Sequence, residues 1–128
     1  MRAIEVQRLE TYPLLVWDPA GDDTVTIREA RAGETALRDG MLATRYIERE
    51  LPDGTTEREY QRVTWSEIAF AECWATFAGA NIIYNGVPLF VGDISHEHFA
   101  QAWSVLPDEL IEEWHGKVRE HNPDWSVA

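Results

Sequence analysis

The sequence predicts an α+β fold, with N-terminal β-hairpins followed by about three α-helices packed around a central apolar helix. Three observations carry this. Before position 64, short alternating runs are separated by turn-forming clusters; after it, apolar stripes at helical spacing lie between capping residues; and nothing between the halves reads as a linker. The length of 128 residues suits one domain, 1–128, with a β-rich half at 1–63 and a helical half at 64–128. With 45% hydrophobic residues and six tryptophans, the chain is too apolar for disorder and large enough to build a core without disulfides or metals.

Thr11–Trp17 is apolar and β-rich, Asp18-Pro-Ala-Gly-Asp-Asp23 supplies turn chemistry, and Thr24–Glu29 alternates with Val25 and Ile27 on one side. Together these predict a hairpin with a long loop, Pro13 confining its first strand to an edge or a late start. Gly33–Gly40 favours a short helix that Gly40 would end. Met41–Val63 predicts a second hairpin around Pro52-Asp53-Gly54, because proline presets φ and glycine accepts φ > 0. Its charges can pair across the strands, and its few apolar positions predict a ribbon that is half solvated or covered by a partner.

Thr64-Trp-Ser-Glu67 matches a capping box, and the helix it opens is expected to run to about Phe77 or Ala78 and stop at Gly79. Only Ser66, Glu67, Glu72 and Thr76 interrupt its apolar surface, so it should be buried on several sides, with Phe70 and Trp74 largely covered. Asn85-Gly86 suggests a tight turn. Ser95 should cap a helix running through Ser104, and Pro107 should open the last helix as its first residue. Leu110, Ile111, Trp114 and Val118 form that helix's core stripe, and Asn122-Pro123 stops it.

Charge narrows the function. The net charge of −12 disfavours nucleic acid, because such a surface repels phosphate backbones. Residues 1–64 hold 9 basic and 13 acidic side chains, net −4, and residues 65–128 hold 2 and 10, net −8. The acidic half either keeps a tryptophan-rich chain soluble or faces a basic protein. No run approaches a membrane span, and the first ten residues lack the apolar stretch of a signal peptide.

No constellation points to catalysis. His96 and His98, with Asp93 nearby, have metal-ligand chemistry, but at i and i+2 on a helix the two rings diverge. Glu112 and His115 form an i, i+3 pair of the di-iron type, but such bundles need a second copy and two further glutamates on facing helices, and the core helix offers only Glu67 and Glu72, so they and His121 read as solvated helix charges. Cys73 has acidic or apolar neighbours that raise a thiol pKa, which reads as buried packing. No metal or other cofactor is expected. The acidic face Glu109, Glu112, Glu113 and Glu120, and Trp125 in the tail if it does not fold back as a plug, are the candidate partner-binding residues.

From Thr64 onward the order of features resembles a known family. A capped tryptophan-bearing helix ends in Ala80-Asn-Ile82, followed by Gly86-Val-Pro-Leu-Phe90, Phe99-Ala-Gln-Ala-Trp103, Leu106-Pro107, Glu113-Trp-His115 and Asn122-Pro-Asp-Trp125. This is similar to the tail assembly chaperones, or tail-assembly proteins, of long-tailed bacteriophages. The resemblance covers about half the chain, on packing motifs rather than chemical ones. It implies a non-enzymatic factor that binds tape-measure and tail-tube proteins in the host cytoplasm during virion morphogenesis. A structural virion component at the tail or head–tail junction is the alternative, and a small metal-dependent hydrolase using His96, His98 and Asp93 a second. Homo-oligomerisation is left open, and no membrane or nucleic-acid partner is expected.

Overall fold

The computed structural model describes residues 1–43 and 45–126, with residues 45–47, 60, 61 and 126 described as backbone. The fold is α+β. The expected first hairpin forms from β1 (Leu9–Pro13) and β2 (Thr24–Arg28), paired antiparallel with Pro13 at the end of an edge strand. Val25 and Ile27 point into the core at 0% and 1% exposure, as their alternation predicts. Asp18 organises the long connection by accepting from the amides of Asp22 and Asp23 at 2.9 and 3.0 Å.

The helix expected near Gly33–Gly40 is α1 (Ala32–Met41), none of whose residues is buried. Gly40 lies inside its last turn rather than ending it. The second hairpin consists of β3 (Arg45–Glu50) and β4 (Thr56–Gln61), with Thr44 of the expected hairpin outside the described residues. It forms its own two-stranded sheet, closed by ion pairs Arg49–Glu59 and Arg58–Glu48.

The capped helix α2 (Trp65–Ala75) starts where Thr64 accepts the Glu67 amide at 3.2 Å. It ends earlier than expected. Thr76 bonds back to the Glu72 carbonyl at 2.7 Å through its hydroxyl, while its own carbonyl accepts the Arg28 amide at 2.8 Å. The chain is thereby drawn straight from helix into β5 (Phe77–Asn81), the third strand of the first sheet, in the order β1-β2-β5. Phe77-Ala-Gly-Ala-Asn81 has no β-branched residue, so its own propensity did not announce a strand. Gly79 does not stop the helix; it lies opposite Thr26 with φ of +140°, a conformation that favours glycine.

A short hairpin follows, β6 (Ile83–Tyr84) and β7 (Val87–Pro88), turning at Asn85 and Gly86 with φ of 52° and 79°. Helix α3 (His96–Trp103) is capped by Ser95, whose hydroxyl accepts the His98 amide at 3.1 Å. Helix α4 (Asp108–His121) begins one residue later than expected, with Pro107 as its cap, and a 3-10 turn (Pro123–Ser126) closes the described chain. Asn122 stops α4 and clamps it to the end of β2: its side-chain nitrogen donates to the Arg28 carbonyl at 3.4 Å, and its side-chain oxygen accepts the Ala30 amide just beyond the strand at 2.8 Å. Among the described residues, no helix is long and apolar enough to cross a membrane.

Aromatic rings fill the space between sheet and helices. Phe99 is fully buried and meets the rings of Phe70, Trp74, Phe77, Phe90, Trp103 and Trp114 at centroid distances of 5.1–5.9 Å. Such edge-on and tilted pairs add to the burial of the rings themselves. Trp114 is 1% exposed, whereas Phe70 and Trp74 are only partly buried, contrary to expectation, because each lines a cavity open to solvent on one side. Trp114→Ala should therefore cost about 3–5 kcal/mol in urea unfolding, and Trp74→Ala clearly less. Equal losses, or a Trp114 loss below about 1 kcal/mol, would contradict this packing.

Candidate interaction surfaces and the buried polar centre

Chemistry-bearing side chains come together inside the molecule, around Glu72. Glu72 of α2 was expected on a polar strip of its helix, yet it is 2% exposed, and Thr76 of the same strip is fully buried. Its Oε1 accepts from His115 Nε2 at 2.7 Å and Arg119 Nε at 2.9 Å. Its Oε2 accepts from Arg119 and from Arg38 of α1 at 3.3 and 3.5 Å. A carboxylate only accepts, so His115 carries its proton on Nε2. Burial pushes the Glu72 carboxyl up, but the bonds from His115 and Arg119 outweigh this and hold it below its ordinary value. With both oxygens occupied, the group is a pin joining α1, α2 and α4.

Trp65 packs edge-on against His115 on one side of this centre. On another, the Arg38 guanidinium lies 4.4 Å from the ring centroid of Trp125. The tail thus folds back: Trp125 is 9% exposed and covers Arg38, rather than presenting a free anchor. Val127 and Ala128 of the expected tail lie outside the described residues.

Two histidines expected as solvated helix charges are also buried, His115 at 7% and His121 at 4% exposure. The reason is periodic. His115 continues Ile111 at i+4 and His121 continues Val118 at i+3, so both lie on the buried stripe of α4. His121 Nδ1 shares a 3.0 Å hydrogen bond with the Tyr12 hydroxyl. Glu112 is exposed and stands apart from His115's partner Glu72. His96 packs its ring against Phe70 and Trp74, His98 is exposed, and Asp93 lines a different cavity beside Arg28 and Phe77. No three potential metal-binding side chains converge among the described residues. Burial, with the Glu72 charge adding, raises the Cys73 thiol well above its ordinary value.

The acidic face of α4 is divided. Glu109, Glu112 and Glu120 are exposed, but the Glu113 carboxylate accepts the amides of Val16 and Trp17 at 2.9 and 2.8 Å and so holds the β1–β2 connection onto the helix. Three other features face outward. The β3–β4 ribbon packs chiefly on itself, and its described side chains from Glu48 to Glu59 are exposed. The β6–β7 tip exposes Ile83, Tyr84 and Val87. An apolar cavity of about 740 Å³ opens between the end of α1, the start of α2, and α3. No family model, curated protein or solved structure matches the chain.

Two predictions follow from these contacts. The Glu72 pKa is lowered on folding, so its stabilisation is complete above the unfolded value near 4.5 and is lost as pH falls through the folded value. The stability gap between wild type and Glu72→Gln should be constant from neutrality down to about pH 5 and shrink below that; a gap that widens with acid would contradict the assignment. Glu113→Ala should cost about 1–2 kcal/mol by losing its bonds to two amides, whereas Glu112→Ala stays within about 0.5 kcal/mol. Equal losses in urea unfolding would show that Glu113 holds nothing.

Proposed function

We propose that this chain is a non-enzymatic binding protein that acts in assembling the tail of a long-tailed bacteriophage, engaging tape-measure or tail-tube proteins in the host cytoplasm. The observation that carries the binding role is the β3–β4 ribbon, which forms a separate two-stranded sheet. Unpaired strand edges are templates for another chain, and proteins without a partner for them usually cover or shorten them. The ribbon has six residues in each strand, and among the described residues no third strand pairs with it. The acidic residues of α4, Glu109, Glu112 and Glu120, would steer a basic partner toward it, mainly by raising the association rate. Assignment to tail assembly rests on the order of packing motifs from Thr64 to Trp125.

Co-expression with the products of the genes beside its own tests this. A soluble complex with a tape-measure or tail-tube protein is expected. Replacing residues 45–61 by a short Gly-Ser turn should abolish the complex while leaving the remaining core cooperatively folded, because the ribbon packs chiefly on itself. Glu109→Lys with Glu112→Lys should slow association, and raised salt should mimic it. A protein that captures no neighbouring product at low salt, or one that binds equally well without the ribbon, would contradict the proposal.

A further inference from the structure

The outer edge of the first sheet is open. In the order β1-β2-β5, β1 has a neighbour on one side, and among the described residues no strand pairs with its other side. The Arg8 carbonyl accepts the Glu29 amide and the Leu14 amide donates to the Asp23 carbonyl, so the main-chain groups of the even-numbered residues face β2. These groups alternate along an antiparallel strand, so those of Leu9 and Thr11 face outward. Pro13 also falls on the outward side and has no N–H to offer, which confines pairing to the upstream part of the edge.

The chain before β1 continues this edge. Gln7 Nε2 donates to the Glu29 carbonyl at 2.6 Å, and Arg28 donates to Gln7 Oε1 at 3.3 Å, so contact with the sheet runs past the strand's first residue. Further upstream Ile4 and Val6 are 90% and 94% exposed, and Leu9 at the start of β1 is 51% exposed. Ile4 and Val6, one residue apart, would share one side of an extended strand, and that side has no cover.

Charge selects the neighbour. Residues 1–13 hold two basic and two acidic side chains, Arg2, Arg8, Glu5 and Glu10, so the net charge of −12 lies in the rest of the chain. Two copies can therefore meet along this edge without bringing their acidic surfaces together. Laid antiparallel on itself with Val6 opposite Val6, the segment sets Arg2 against Glu10 twice, Ile4 against the stem of Arg8, Ala3 against Leu9 and Glu5 against Gln7. A two-fold axis at Glu5 or Arg8 would oppose like charges. An axis at Gln7 would set Glu10 against Ile4 and Glu5 against Leu9, and one at Leu9 would leave Ile4 beyond the end of β1. Glu10 can take the arginine: its side chain is 53% exposed, and while its Oε2 accepts the Tyr12 hydroxyl at 3.1 Å, a carboxylate has further lone pairs.

We infer that a second copy of this chain occupies this edge: residues 2–10 of the two copies form an antiparallel strand pair about a two-fold axis at Val6, joining two three-stranded sheets into one of six strands. The contact lies on a different sheet from the β3–β4 ribbon and stands whether or not the ribbon receives a strand.

Sedimentation equilibrium of the full chain at physiological salt should show a concentration-dependent dimer. Arg2→Glu and Glu10→Arg should each weaken it by about tenfold, because each sets two like-charge pairs across the axis, and combining them should restore it to within about threefold of wild type. Such rescue requires residue 2 of one copy to meet residue 10 of the other. Val6→Cys tests the axis itself. Facing residues of an antiparallel pair are within disulfide reach, so this variant should oxidise to a linked dimer at least about tenfold faster than Glu112→Cys, exposed on α4. The native Cys73 is buried and does not compete. Circular dichroism checks the fold, and if a reversal variant unfolds, the Val6→Cys linking rate decides. A chain that stays monomeric at its highest soluble concentration, folded reversal variants that leave the dimer unchanged or fail to rescue each other, or Val6→Cys linking no faster than Glu112→Cys would each overturn the inference. So would a monomer whose residues 2–10 gain hydrogen-exchange protection only with a neighbouring gene product, an outcome that makes a partner's strand the occupant.

Discussion

One buried carboxylate sets the arrangement of helices α1, α2 and α4. Removing a charge such as Glu72 from water costs several kcal/mol unless excellent geometry compensates, so the fold is acceptable only if its partners converge on it. They come from two other helices: Arg38 from α1, His115 and Arg119 from α4. Helix α1 buries no residue of its own, so apolar packing gives it little registration. The ion pair from Arg38, and Trp125 stacked over that same arginine, fix where it sits. A buried charge of this kind specifies an arrangement more than it stabilises one, because a well-packed apolar replacement can be as stable.

The same turn of α2 also sets the sheet. Thr76 bonds back to the Glu72 carbonyl and forward to Arg28 of β2, so the helix end that places the carboxylate also starts β5 in register with β2. Asn122 and Glu113 then tie the two ends of the β1–β2 hairpin to α4. Polar groups that would otherwise face outward are in this way committed to internal contacts. What remains outside is a charged ribbon, an apolar hairpin tip and an apolar cavity between α1, α2 and α3.

Local signals made most elements legible. The turns at Pro52-Asp53-Gly54 and Asn85-Gly86, the caps Thr64 and Ser95, and the alternation at Val25 and Ile27 are properties of neighbouring residues, so the sequence displays them directly. What escaped depends on distant partners. Strand β5 has the composition of a helix end and becomes a strand because β2 offers it an edge. Glu72 and Glu113 resemble surface acids in sequence, and only the folded chain brings Arg119 to one and the Val16 amide to the other. A signal for the buried histidines was present in the extended stripe Ile111, His115 and Val118, but polar residue type argued against it. The apolar cavity was not legible, since Met41, Ser66 and Trp103 lie on three separate helices.

The claim that the Glu72 cluster registers the helices is tested most directly by a double-mutant cycle between Glu72→Gln and Arg119→Met, read by urea unfolding at neutral pH. A coupled pair should give an interaction free energy of about 1–3 kcal/mol, with the double variant less damaged than the two single losses sum to. Losses that add to within about 0.3 kcal/mol would show that the two residues act independently and that the helices are held in place by apolar packing alone.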